Sequence, residues 1–134
     1  MKNPGKLSAN DKSGESNRKV ILVVDDEPNI CNALQRILES DGYTVVTALD
    51  GKAALNLIPQ LKPNLLFLDI MMPGMDGREV CERAHEICDA RIVYFSARAD
   101  LARTEGEADA FLTKPASSRR ILSVVDLCLS ACKN

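Results

Sequence analysis

The sequence has no tryptophan, only two tyrosines and three phenylalanines, and a single histidine among 134 residues. Any core must therefore be aliphatic, and an apolar fraction of 46% is enough to build one. No apolar run approaches the roughly 18 residues that a membrane span requires. No apolar stretch precedes Val20, so no secretory signal is read, and a cytoplasmic location without membrane insertion is expected. No C-x-x-C pair occurs, and the odd count of Cys31, Cys81, Cys88, Cys128 and Cys132 argues against a full disulfide framework. All five fall in helical patterns and read as reduced thiols. No glycine-rich phosphate loop follows the first apolar run, which argues against a nucleotide-binding enzyme. Basic excess is missing too. The net charge is −2, and Arg119-Arg120 is too small a patch to argue for direct nucleic-acid contact.

What is present is ordered along the chain. Residues 1–18 are polar, carry four basic and two acidic side chains, and read as a disordered tail. Residues 19–134 read as one domain carrying thirteen basic and seventeen acidic groups. Val20 to Val24 is a continuous β-branched run, the mark of a strand covered on both faces. Pro28 opens a helix with Ile30, Leu34, Ile37 and Leu38 at helical spacing, stopped by Asp41-Gly42. Tyr43–Ala48 then reads as a strand, Lys52–Leu61 as a helix and Leu65–Leu68 as a second fully apolar strand. Gly77–Cys88 reads as a helix burying Val80, Cys81, Ala84, Ile87 and Cys88. Strands follow at Ile92–Phe95 and Ala110–Thr113. Ser117 or Ser118 caps a last helix that buries Ile121, Leu122, Val125 and Leu129. Five strands alternating with helices predict an α/β fold, a doubly wound (βα)5 domain on a parallel sheet.

In open parallel sheets, sites form at the carboxyl ends of the strands. The first strand ends in Asp25-Asp26-Glu27, the third in Asp69 and the fourth in Ser96, while the fifth runs into Lys114. Carboxylates gathered this closely repel one another unless cations offset them. Lys114 supplies one positive charge, and Mg²⁺, which prefers carboxylate, carbonyl, water and phosphate oxygens, would supply two. Asp69 stands at the end of an inner strand, and carboxylates can act as nucleophiles that form aspartyl phosphates. The cluster therefore reads as a phosphoryl-accepting site in which Lys114 and Ser96 bind phosphoryl oxygens.

Four segments then resemble one family. Asp25-Asp26 is similar to the acid pair of response regulator receiver domains. Asp69-Ile70-Met71-Met72-Pro73-Gly74-Met75-Asp76-Gly77 matches the D-x-x-M-P-x-M-D-G phosphoacceptor loop of that family. Ser96-Ala97 matches its Thr/Ser-Ala dipeptide, and Ala108–Pro115 resembles its A-D-x-[FY]-[LI]-x-K-P ending. The resemblance spans about residues 19–132. It implies a flavodoxin-like strand order 2-1-3-4-5. It also implies Asp69 as phosphoacceptor, with Mg²⁺ on Asp26, Asp69 and the Met71 backbone carbonyl, and on Asp25 through water. Lys114 would pair with the phosphate, Ser96 and Phe111 would act as switch residues, and Lys114-Pro115 would be cis. The implied partners are a sensor histidine kinase or histidine phosphotransfer protein and a downstream protein. The residues two beyond the acceptor and the hydroxyl, Met71 and Arg98, would influence phosphoryl lifetime, with Arg98 shielding the site from water.

The chain departs from the family between Ser96 and Lys114. These stand eighteen positions apart, so the fourth helix is expected to be about one turn short or partly disordered. Glu107 replaces the Gly that usually precedes Ala-Asp. The family signals through the surface of that helix, strand five and helix five, so this departure bears on output. Asp76 reads as a helix start, Glu27 as a helix-dipole partner and His85 as a solvated surface residue, not a phosphodonor. A signalling domain is thus expected, as opposed to a turnover enzyme. The rivals are a non-phosphorylated interaction module, a receiver fragment of a larger protein, and a metal-dependent phosphatase. The last would typically carry a second Asp where Met71 stands.

Overall fold

A computed structural model describes residues 18–101 and 107–130. The tail expected over 1–18 falls, except for Arg18, outside them, as does Cys132. The elements run β1 (Val20–Val24), α1 (Pro28–Ser40), β2 (Thr44–Ala48), α2 (Gly51–Leu61), β3 (Leu65–Leu68), α3 (Gly77–Ile87), β4 (Arg91–Ser96), β5 (Ala110–Thr113) and α4 (Ser118–Ser130). All strand pairs are parallel, and the sheet order is β2-β1-β3-β4-β5. This is the predicted 2-1-3-4-5 arrangement.

Strand alternation divides the core in two. One face of the sheet sends Ile21, Val23, Phe67, Val93 and Phe95 against Cys31, Leu34 and Leu38 of α1 and Ile121, Val125 and Leu129 of α4. The other sends Leu22, Val24, Leu66, Leu68, Ile92 and Tyr94 against Ala54 and Ile58 of α2 and Val80, Cys81 and Ala84 of α3. Strands apolar at every position are thereby explained, since both faces are covered. Each fully buried Leu, Ile or Val contributes about 1.5–3 kcal/mol.

The helices begin where polar side chains meet free amides. Asp50 accepts from the Ala53 N–H at 2.8 Å, Asp76 from Glu79 at 3.0 Å, and Ser117 Oγ from Arg120 at 3.1 Å. The expected helix start at Asp76 is therefore found as a cap. Glu27 precedes α1 without a side-chain cap bond, so the first turn there relies on Pro28. Gly42 has φ +95°, which makes glycine the fitting residue in the turn after α1.

One expectation needs correction, and one, a shortened fourth helix, is met among the described residues. Ile87, the last residue of α3, is 48% exposed, because the helix terminates there instead of continuing through Cys88. Between β4 and β5 the described residues contain no α-helix, only a 3₁₀ turn at Ala99–Leu101. The rest of the expected fourth helix, 102–106, lies outside the described residues. Cys31, Cys81 and Cys88 are not in disulfides, and Cys88 is the C-cap that follows α3.

Candidate functional site

Parallel strands deliver their carboxyl ends to one edge, and the register fixes what meets there. Leu68 pairs with both Val24 and Tyr94, so Asp25, Asp69 and the end of β4 follow side by side. Ser96 pairs with Thr113, the residue before Lys114. Asp25, Asp26 and Asp69 each bring a carboxylate oxygen within 4.8 Å of the others. Asp25 and Asp69 are buried at 2% and 6% exposure, and Asp26 is the more open of the three.

The Lys114 ammonium enters this cluster from the far side. Nζ lies 2.8 Å from Asp25 Oδ2 and 3.5 Å from Asp69 Oδ2, so it is held more closely by Asp25 than by Asp69. It also stands 5.5 Å from the centre of the Phe95 ring. Burial lowers the pKa of Lys114, but the bond and charge of Asp25, with the charge of Asp69, outweigh it and raise the value above the ordinary one. Asp69 is raised as well. Burial is the largest cause, opposed by Lys114 and reinforced by Asp25.

Local backbone fixes each carboxylate. Asp69 Oδ1 accepts the Met71 N–H at 3.2 Å, and Asp25 Oδ1 accepts the Glu27 N–H at 3.0 Å. The loop after β3 then turns tightly into α3. A Cβ on Gly77 would stand 2.3 Å from the Asp69 carbonyl oxygen and 2.7 Å from Ile70 Cα. Only glycine fits that approach. Below the cluster the Cys31 thiol donates to the Asp25 carbonyl at 3.4 Å, and burial pushes its pKa up to about 11. Neither contact was foreseen from sequence. The pairing of Cys31 has no sequence signal, whereas Gly77 was visible as the last residue of the Asp69 loop.

Ser96 is fully buried at the end of β4. Its Oγ accepts the Arg98 N–H at 3.1 Å, and its carbonyl accepts the Lys114 N–H at 2.8 Å. Phe111 is half-buried and meets the edge of Tyr94 at 6.4 Å between centroids. Arg98 is exposed and turned to Asp100, with bonds of 2.8 and 2.6 Å. The Lys114-Pro115 peptide is cis. His85 is exposed, but it has a partner, the Glu107 carbonyl at 2.6 Å from Nε2. The strands thus bring Asp25, Asp26, Asp69 and Lys114 into one cluster, with Ser96 on the adjoining strand end. Asp76 caps the start of α3, and Glu27 stands at the N-cap position of α1 without a side-chain cap bond.

The donor set fits a hard divalent cation. Three carboxylates face one ammonium, which leaves two negative charges uncompensated. Their carboxylate oxygens all gather within 4.8 Å, and carboxylates with retained waters are the ligands such an ion takes.

Comparison with known proteins places this arrangement among relatives. A family model described as the response regulator receiver domain matches residues 21–126. A probable transcriptional regulator ycf27 from Cyanophora paradoxa is 42% identical over 111 residues, covering 80% of this chain and 46% of that protein. Its counterpart from Guillardia theta is 41% identical over 108 residues, covering 78% and 42%. The chain thus spans less than half the length of these curated relatives. Among solved structures, a receiver domain protein from Methanospirillum hungatei JF-1 superposes with TM-score 0.78 at 30% identity, covering 85% of this chain and 95% of that one. A response regulator protein from Thermotoga maritima, in complex with Mg(2+)-BeF, superposes with TM-score 0.76 at 34% identity, covering 83% and 99%.

Proposed function

The chain belongs to the response regulator receiver family of two-component systems, and from that premise we propose that residues 19–134 accept a phosphoryl group on Asp69 in a Mg²⁺-dependent reaction. The donor is a sensor histidine kinase or a histidine phosphotransfer protein, and the reaction takes place in the cytoplasm. The phosphorylated state is then read by protein–protein contact. Among the described residues no helix is long and apolar enough to cross a membrane.

One observation carries this reading. Asp69 lies buried between two further carboxylates and an ammonium, at the centre of the carboxyl edge of the sheet. An Asp69 carboxylate oxygen forms the new bond to phosphorus while the bond from phosphorus to the donor imidazole nitrogen breaks. Lys114 offsets charge on the transferred group, and Ser96 Oγ donates to one of its oxygens once in reach. Mg²⁺ would be held by Asp26, Asp69 and the Met71 carbonyl, with Asp25 through water, and would supply positive charge beside the transferred oxygens. Phe111 follows Ser96 as the second switch residue. The chain acts as a signalling domain that also governs the loss of its own phosphoryl group. It is not an enzyme that turns over a separate substrate.

Intact mass after incubation with acetyl phosphate tests this directly. A single phosphoryl adduct should form with Mg²⁺, vanish with chelator and be absent in Asp69→Asn. No adduct on folded protein would favour a second reading, an interaction module that keeps the fold without the chemistry. That only a 3₁₀ turn stands between β4 and β5 among the described residues speaks for that module. The reader of the phosphorylated state is a separate downstream protein or, as the greater length of the curated relatives suggests, a further domain of a larger polypeptide.

A further inference from the structure

Glu107, the residue in place of the family's glycine, is a junction of four contacts. Its carboxylate accepts the Tyr94 hydroxyl at 2.8 Å and pairs with Arg78. Its carbonyl accepts from His85 Nε2 at 2.6 Å and from the Cys81 thiol at 3.3 Å. Arg78, Cys81 and His85 stand at i, i+3 and i+7, so they share one face of α3. The Arg78 guanidinium also lies 5.2 Å from the Tyr94 ring centre and donates to the Leu101 carbonyl. One residue thus ties α3 to β4 through its side chain and through its main chain.

The other end of this junction reaches toward the acid cluster. Tyr94 is fully buried and two positions before Ser96, so both project to the same side of β4. Tyr94 is also the register partner of Phe111, whose ring meets its edge. Phe111 is only four positions beyond Glu107. Burial, first, and then its bonds to Cys81 and Glu107 raise the Tyr94 pKa far above the ordinary range, so the hydroxyl remains a donor. A buried donor deprived of its acceptor bears the desolvation of its hydroxyl with nothing to offset it. Any shift of Ser96 or Phe111 that moves Tyr94 must therefore carry Glu107 with it or break that bond.

We propose that Glu107 and Tyr94 couple the state of the Asp69 site to the face of α3 that carries Arg78 and His85, so that α3 carries signal. This deepens the reading of Asp69 as phosphoacceptor and rests on it. The coupling is a mechanical link. Phe111, Tyr94 and Cys81 form its buried arm, and the half-buried Arg78 and the exposed His85 form its surface end.

Backbone amide NMR with beryllofluoride and Mg²⁺, a stable phosphoryl mimic, tests it. Amides of Asp69, Met71 and Lys114 report the site, and those of Arg78, Cys81 and His85 report α3. In the parent both sets should shift together. In Tyr94→Phe and in Glu107→Gln the site set should still shift, while the α3 set should move less than half as far. An α3 set that stays still in the parent, or shifts equally in both variants, overturns the coupling alone. Silence in both sets sinks the phosphoacceptor reading and the coupling with it. Should a variant unfold, the parent titration still decides, because the link requires the two sets to move together.

Discussion

Replacing Lys114 by methionine keeps an unbranched chain of similar length and removes the charge. At an effective dielectric of about 20, unit charges 2.8 Å apart attract by about 6 kcal/mol before desolvation is counted. The Lys114 side chain is only 15% exposed, and those of its partners Asp25 and Asp69 are 3% and 8% exposed. Removing one partner of such a pair strands buried charge, at a net loss of about 3–5 kcal/mol. For a domain of this size that lowers Tm by about 12–20 °C in metal-free buffer. Asp69 already has a raised pKa because it is buried, and loss of the ammonium raises it further. An acid whose folded pKa lies above its unfolded one destabilises the fold when ionised. The penalty should therefore be full at pH 8 and fade as the pH falls through the folded pKa. Mg²⁺ should bind the variant more tightly, by about tenfold, because the ammonium no longer competes for Asp25. At a hundred times its Kd, Mg²⁺ restores about 2.7 kcal/mol. Urea melts at pH 8 and at a pH below the folded pKa of Asp69, with and without Mg²⁺, measure all of this. A loss under about 1 kcal/mol, or equal stabilisation of parent and variant by Mg²⁺ at matched concentration, would refute the reasoning.

Asp69→Asn should raise metal-free stability at pH 7, because the buried carboxylate with a raised pKa is removed while Lys114 keeps Asp25; a lower denaturation midpoint than the parent would contradict this. Gly77→Ala should lose about 1–3 kcal/mol through overpacking against the Asp69 backbone, and should slow adduct formation from acetyl phosphate. An alanine variant with parental stability and rate would show that the loop yields freely. If Arg98 shields the phosphoryl group, Arg98→Ala should speed dephosphorylation about twofold, of order 0.4 kcal/mol. Asp100→Asn, which frees the guanidinium, should slow it by a similar factor. Equal rates in parent and both variants would leave Arg98 without that role.

The fold was legible because its signals are local. The runs Val20–Val24 and Leu65–Leu68 are apolar at every position, and each is followed by an aspartate, which marks inner strands with their carboxyl ends at a site. Asp76 and Ser117 announce helices through hydrogen bonds only three residues long. Asp25, Asp26, Asp69, Ser96 and Lys114 could be named because the topology brings strand ends together whatever the loops do. What sequence could not supply was the pairing of side chains across the fold. That Lys114 is nearer Asp25 than Asp69, or that Arg98 turns to Asp100, depends on distances of a few tenths of an ångström. Glu107 was visible as a departure from a glycine, but its partners lie on α3 and β4, up to 29 positions away. His85 likewise looked solvated because exposure and partnership are separate properties.

The two aromatic pairs occupy opposite faces of the sheet. Phe67 meets Phe95 on the side of α1 and α4, while Tyr94 meets Phe111 on the side of α2 and α3. Neighbouring positions of one strand thus serve different rooms of the molecule, with a wall of hydrogen-bonded backbone between them. A rearrangement that starts at Tyr94 can spread through one room and leave the packing of the other undisturbed. A protein that grips α1 or α4 could then hold on through both states of the site, while another that touches α3 distinguishes them.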